Sequence, residues 1–338
     1  MFADGQPASE HVSIVVNEAE RRADILIDGK PFTSYIWPTT LKKPVLYPLR
    51  TANGTIVTRG YPLEPRPGER VDHPHHAGLW FNYEDVNGID FWNNSDAIKP
   101  EDAPRMGTIV HRSIVSAKSG AQEGTLQVQG DWVTHDKKIV LKEATRFVFR
   151  GGPGFRSIDR FTALTAQDER VNLPDAKDGL LGLRVVRALE IPSDKPESYV
   201  DASGRVTTMA KMDNTGVNGS YLTSEGKTGD AAWGTRGHWC NLGGKVGDEN
   251  VTITIFDHPD NPGFPTYWHA RGYGLFAANP LGQKIFSQGK QELNFSLAPH
   301  ATVAFHYRIL ISSSVLTADA TEAAYKQFLA AYPPQSKQ

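Results

Sequence analysis

The chain has 338 residues, 39% of them hydrophobic and 22% charged, with a formal net charge of -2. This near balance, with no block of like charge, excludes a nucleic-acid footprint and a membrane-surface helix. No apolar stretch approaches the roughly 18 residues that a transmembrane helix needs, so the chain reads as a water-soluble protein. A single cysteine, Cys240, excludes an intrachain disulfide, and its Trp239–Leu242 surroundings suit a small buried hydrophobe. No phosphate-cradling glycine loop, nucleophile-elbow serine or CxxC pair is present, which argues against nucleotide cofactors and serine hydrolysis. The first residues, Met1-Phe2-Ala3-Asp4-Gly5, lack the basic and apolar regions of a signal peptide. They look like a mature N-terminus with a starter Met, so the expected compartment is periplasmic or secreted.

In chain order, β-branched or alternating runs fall at 12–16 and 23–27, with Asp28-Gly29 as a hairpin turn. Similar runs follow at 55–58, 108–117, 125–133, 138–149 and 155–164, then at 180–190, 251–256, 274–278, 291–297 and 302–311. The 31 Gly and 22 Pro mostly separate these runs, where turns need them. Residues 204–237 form a long, polar, Gly-rich connection, read as a loop over a site. One helix is expected, over 319–332, with Asp319 as N-cap and Glu322 at the capping-box position. Tyr325, Phe328, Leu329 and Tyr332 make its apolar stripe, and Pro333-Pro334 ends it. A dozen or more strands and one C-terminal helix predict an all-β fold, a large antiparallel β-sandwich occupying 1–338 as a single domain.

Four segments carry a resemblance. They are Lys43-Pro44-Val45-Leu46-Tyr47-Pro48, Asp72-His73-Pro74-His75-His76-Ala77-Gly78-Leu79-Trp80, Val86-Asn87-Gly88-Ile89-Asp90-Phe91-Trp92, and the 271–280 run Arg-Gly-Tyr-Gly-Leu-Phe-Ala-Ala-Asn-Pro. Together they resemble the PmoA-like family over most of the chain, from about Ile25 to Ile311. A methane monooxygenase subunit, as that name implies, is rejected because no membrane-spanning helices are present. The resemblance implies a galactose-mutarotase-like supersandwich and a carbohydrate substrate. Aldose epimerases are similar in pairing a Pro-x-Leu-Phe-Pro turn with a later His-Gly segment; here Pro44-Val45-Leu46-Tyr47-Pro48 precedes His76-Ala77-Gly78. The extra histidines depart from that pattern.

If 72–80 is extended, as Pro74 favours, His73 and His75 share one face and His76 points oppositely. Two imidazoles on one face can bind a metal, act as acid and base, or form a structural polar cluster. A metal built on His73 and His75 needs a third ligand, for which His238, His269, Glu84 and Asp90 are the choices. Glu84 sits an even number of residues from His76 and can orient it or serve as the complementary base. Asp85 and Asp90 flank an Asn87-Gly88 turn.

A second constellation pairs histidine with Arg and Trp at 236–239 and 268–271. Alternation places His269 and Arg271 on one strand face, where Arg271 can hold a carboxylate or oxyanion, or else pair with Asp257 or Asp260. Asp175, Lys177 and Asp178 read as a polar turn. Trp80, Trp92, Trp239 and Trp268 lie near the histidines, where indoles can stack on sugar C–H faces.

The expectation is therefore His-centred acid/base chemistry on a small-molecule or oligosaccharide substrate: epimerisation, elimination or glycoside hydrolysis. His75, His76, Glu84, His269 and Arg271 are the catalytic candidates. His73, Trp80, Asn82, Asp90, Trp92, His238 and Trp268 are the substrate-binding ones. No cofactor is expected, and neither nucleic acid nor membrane is a partner. A non-catalytic glycan-binding protein and a metal-dependent enzyme using His73 and His75 are the alternatives.

Overall fold

A computed structural model describes residues 11–211 and 213–335. Two eight-stranded antiparallel sheets dominate it. The first runs, edge to edge, through Val12–Asn17, Arg22–Ile27, Lys30–Ile36, Val45–Leu46, Leu79–Tyr83, Gly179–Arg184, Leu275–Asn279 and Tyr267–Arg271. The second runs through Ser220–Thr223, Trp239–Val246, Glu249–Asp257, Thr302–Ser312, Phe155–Ala166, Ile139–Gly152, Gly124–Val133 and Thr108–Lys118. The expected β-sandwich is thus the observed architecture.

Local sequence explains most strands. Arg22–Ile27 alternates half-buried and buried positions, sending Ala23, Ile25 and Ile27 into the core. Asp28 and Gly29 both take positive φ (49° and 74°), as a tight hairpin turn requires, and the chain returns as Lys30–Ile36. The 55–58 run forms no strand, only isolated bridges Arg50↔Ile56 and Thr58↔Val185. The 180–190 run stops at Arg184 and ends in a 3₁₀ turn at Arg187–Leu189. Residues 204–237 are more structured than a plain loop. They contain Val206–Met209, Ser220–Thr223 and the 3₁₀ turn Gly229–Ala232.

Both sheets bury one face in a shared core, to which Leu79, Phe81, Leu181, Leu183, Phe276 and Trp268 contribute from the first and Leu126, Phe147, Ile158, Ile253 and Ile309 from the second. The C-terminal helix, Ala318–Ala331, packs Tyr325 and Phe328 on Trp239 and Phe256. Its N-cap is Thr317, whose hydroxyl accepts from the Ala320 amide at 3.2 Å, and not Asp319 as expected. Glu322 is consequently free of capping and binds the second sheet. A short helix, Gln283–Phe286, was not foreseen.

Candidate functional site

The first sheet turns its other face away from the shared core, and the site is built there. Strand register places His269 opposite Ala277, Ala277 opposite Gly182, and Gly182 opposite Trp80, one row across four strands. Trp80, Trp92, Val45, Tyr47, Leu275 and Ala277 form a separate apolar layer on this face. The Trp80 indole lies over Gly182, where a Cβ would come within 2.5 Å of the ring.

Above this layer sits the 72–78 loop, which is a turn and not an extended strand. His73 has φ +44°, and the His76 amide donates to the His73 carbonyl at 2.9 Å. Reversal at this point overturns the expected alternation: His73 and His76 lie parallel, ring centroids 4.8 Å apart and planes 2° from each other. The ladder continues in both directions, with Tyr273 stacked on His73 at 5.1 Å and Trp80 stacked on His76 at 5.2 Å. His75 meets the His76 ring edge-on at 4.3 Å.

Two buried arginines hold the loop in its left-handed conformation, which costs a non-glycine residue free energy unless the surroundings impose it. Arg59 donates to the backbone carbonyls of Asp72, His73 and His76, and to Asp72 Oδ1 at 2.5 Å. Arg184 donates to the same Oδ1 at 2.7 Å. The other Asp72 oxygen, Oδ2, lies 2.6 Å from His73 Nδ1. Burial alone would raise the Asp72 carboxyl, but the His73 hydrogen bond and the arginine charges outweigh it and hold it well below the carboxylate range.

Arg184 Nη1 also lies 3.2 Å from His76 Nδ1. A guanidinium only donates, so Nδ1 accepts and the neutral imidazole carries its proton on Nε2. Burial, reinforced by the His75 and Arg184 charges, keeps His76 neutral by pushing its pKa well below the usual histidine value. The buried Nε2 has no hydrogen-bond partner. Trp80 Nε1 and Asn82 Oδ1, both on this face, are also buried without a hydrogen-bond partner among the described residues.

His269 and Arg271 share the face, as alternation predicts. His269 Nδ1 is 3.4 Å from Asp178 Oδ1, and burial, with the Arg271 and Lys177 charges, draws its pKa down to about 3. Arg271 lies over Trp233 at 5.5 Å and Tyr273 at 5.7 Å. No carboxylate reaches it within 4 Å among the described residues. Asp257 is instead tied to Asn261 and Thr266 on the other sheet. Tyr273, stacked on His73 and beneath Arg271, joins the two histidine segments. His75, Lys43 and Tyr61 border a cavity of about 480 Å³, while Arg271, Tyr273 and Trp233 border another of about 560 Å³.

Several expectations need correction. Trp80 and Trp92 are 0% and 1% exposed and, covered by His76 and by each other, offer no open platform for a sugar; Tyr61, Trp233 and Tyr273 are aromatic rings at the two cavities. Trp268 points into the inter-sheet core. His238 lies on the far side of the second sheet, where its Nε2 and the Trp239 indole N–H both meet Glu322 Oε2 at 2.8 Å, a structural clasp for the helix. Among the described residues Glu84 makes no hydrogen bond or ion pair with a histidine. Its Oε2 accepts from the Asp178 amide at 2.9 Å, and burial, with Asp178 and Asp90 nearby, raises its pKa. The carboxylate that orients a histidine is Asp72. Asp90 accepts from the Trp92 and Asn93 amides, and Asn82 donates to the Phe91 carbonyl at 2.6 Å. Both thereby shape the 82–93 loop. Among the described residues no three His, Cys, Asp or Glu side chains converge to hold a metal ion; His73 and His75 stand edge to face, 5.6 Å apart.

Sequence reasoning missed Arg59, Asp72, Lys43, Arg184 and Tyr273 as site residues. Asp72, Lys43 and Tyr273 sat within the motif segments; for Arg59 and Arg184 only their presence in otherwise apolar surroundings was a signal.

The fold and site define a large antiparallel β-sandwich with a buried histidine–arginine–lysine cluster on the outer face of one sheet. The chain belongs to DUF6807, a family of unknown function, whose model matches residues 22–326. No curated protein matches the sequence. Similar solved structures include a galactose 1-epimerase from Lactobacillus acidophilus NCFM, with 9% identity, TM-score 0.40, and 90% of this chain and 98% of that one covered. Another is a putative aldose 1-epimerase from Escherichia coli K12, with 9% identity, TM-score 0.36, and 90% and 99% covered. Among the described residues no helix is long and apolar enough to cross a membrane.

Proposed function

We propose that the protein is an acid/base enzyme acting on a carbohydrate or sugar-derived compound, moving a proton at a sugar carbon or glycosidic oxygen. The observation that carries this reading is the Asp72–His73 pair. A carboxylate kept ionised by two buried arginines fixes the ring of a histidine whose side chain is 40% exposed. A carboxylate orienting a solvent-reachable imidazole is the arrangement that general acid/base catalysis uses. His73 thereby takes the role first expected of His75 or His76. His76, neutral and buried, would serve as a hydrogen-bond donor through Nε2–H to developing negative charge, and Arg271 would hold an anionic substituent.

The test is a product-detecting screen of glycosides, free sugars and uronic acids by NMR, repeated with His73→Gln and Asp72→Asn. His73→Gln should lower kcat about 10²–10⁴-fold while sparing ligand affinity. Sugar binding by calorimetry with no product from any substrate would instead make the protein a glycan-binding module.

A further inference from the structure

Lys43 is anomalous in a way that the acid/base reading does not use. It is 4% exposed, yet no carboxylate lies within 4 Å of it among the described residues. Among the described residues its one hydrogen bond runs from Nζ to the His75 carbonyl at 2.7 Å, and the same nitrogen stands 5.3 Å from the centre of the Trp80 ring. A buried ammonium with three donors and one acceptor is poorly compensated, whereas a buried neutral amine is cheap. Lys43 also borders the 480 Å³ cavity together with His75, Tyr61 and Asn94.

We propose that Lys43 is a carbonyl-capturing nucleophile, forming an imine with the open-chain aldehyde or ketone of a sugar-derived substrate in this cavity. The proposal rests on the carbohydrate reading and narrows it to substrates with a free or unmasked carbonyl. In the step, the amine nitrogen adds to the carbonyl carbon and the C–N bond forms. The carbonyl oxygen then departs as water with the two amine protons, leaving C=N, so no oxidant or reductant enters. A protonated imine acidifies the adjacent C–H, which a base can then remove. Burial, partly offset by Asp90, draws the Lys43 ammonium down to about 7, so a useful fraction is nucleophilic at neutral pH.

Reductive trapping tests this. The full chain is incubated with D-glyceraldehyde and cyanoborohydride at pH 7, and adducts are mapped by peptide mass spectrometry. Lys43 should be modified ahead of exposed lysines such as Lys137, Lys211 and Lys290, by at least tenfold in rate. Its rate should rise to half-maximum near pH 7, and prior occupancy by a binding sugar should protect it. Lys43→Arg keeps a donor for the His75 carbonyl but should abolish the protected adduct. Labelling no faster at Lys43 than at the exposed lysines would overturn the proposal. Sugar binding measured in parallel by calorimetry tells that failure apart from failure of the carbohydrate reading.

Discussion

At the scale of single residues, the site is organised by charges placed where water cannot reach them. Arg59 and Arg184, 1% and 0% exposed in their side chains, converge on one oxygen of Asp72. Removing one partner of such a group leaves the rest buried and uncompensated, which typically costs about 3–5 kcal/mol. Arg184→Met should therefore lower unfolding free energy by that amount in urea titration, and activity should fall as well, because His76 loses the donor that selects its tautomer. A loss below about 1 kcal/mol would show that Asp72 is held adequately by Arg59 alone. Lys43 predicts the opposite sign. Its folded pKa lies below its unfolded value, so its ammonium is a penalty in full below about pH 7 that fades as pH climbs towards the unfolded value near 10.4. Lys43→Met should accordingly stabilise the protein, by an amount on the order of a few kcal/mol at pH 6 and negligible near pH 10. Thermal melts of both proteins across that range check the sign; an advantage that does not shrink with pH would count against it.

Among elements, the row His269–Ala277–Gly182–Trp80 shows how small residues make room for the site. Gly182→Ala would put a methyl group 2.5 Å from the Trp80 indole and 3.0 Å from that of Trp92. The rings would have to move, at a cost of about 1–3 kcal/mol for overpacking. Since Trp80 supports His76, catalysis should fall further than stability does; unchanged kcat with a lowered melting temperature would separate the tryptophan layer from the chemistry. Strand faces were legible in the sequence wherever alternation was regular, which is why His269 and Arg271 were rightly paired. The 72–78 loop was not, because a single residue at φ +44° reverses the parity on which alternation depends, and Pro74 misleadingly favoured an extended chain. His238 was misread for another reason. Its neighbours Arg236 and Trp239 mimic those of His269, and only the docking of a helix more than 80 residues later, through Glu322, reveals its role. Arg59 and Arg184 were hidden because an isolated arginine in a strand or loop carries no periodic signal; what brings them to the candidate site is convergence from distant segments on Asp72.

For the whole molecule, the buried imidazoles predict how stability responds to acid. His75, His76, His269 and His306 all have pKa values lowered chiefly by burial, and His111, less deeply placed, follows them at about 4. An unfolded histidine binds its proton near pH 6.5, so below that pH the unfolded chain holds protons that the folded one refuses. Stability then falls as pH drops, by at most about 1.4 kcal/mol per pH unit for each such group. Asp257 works against this. Burial raises it to about 7, so between its unfolded value near 3.9 and pH 7 the folded state binds the extra proton and gains stability on acidification. Glu69, Glu84, Asp178 and Glu190 are shifted in the same direction by burial, and they too oppose the histidines. Between about pH 6.5 and 5 the five histidines titrate in the unfolded chain, and Asp257, already protonated in the folded one, offsets one of them. Below about pH 4 the depressed Asp72 adds to the loss, since its arginine partners stabilise only the ionised form. Urea unfolding free energies measured from pH 8 to 4 should therefore decline between pH 6.5 and 5, by the excess of imidazole over carboxyl proton uptake. A flat profile in that window, with loss confined to pH below about 4, would mean that the imidazoles accept protons in the folded state and that the neutral His76 donor is absent.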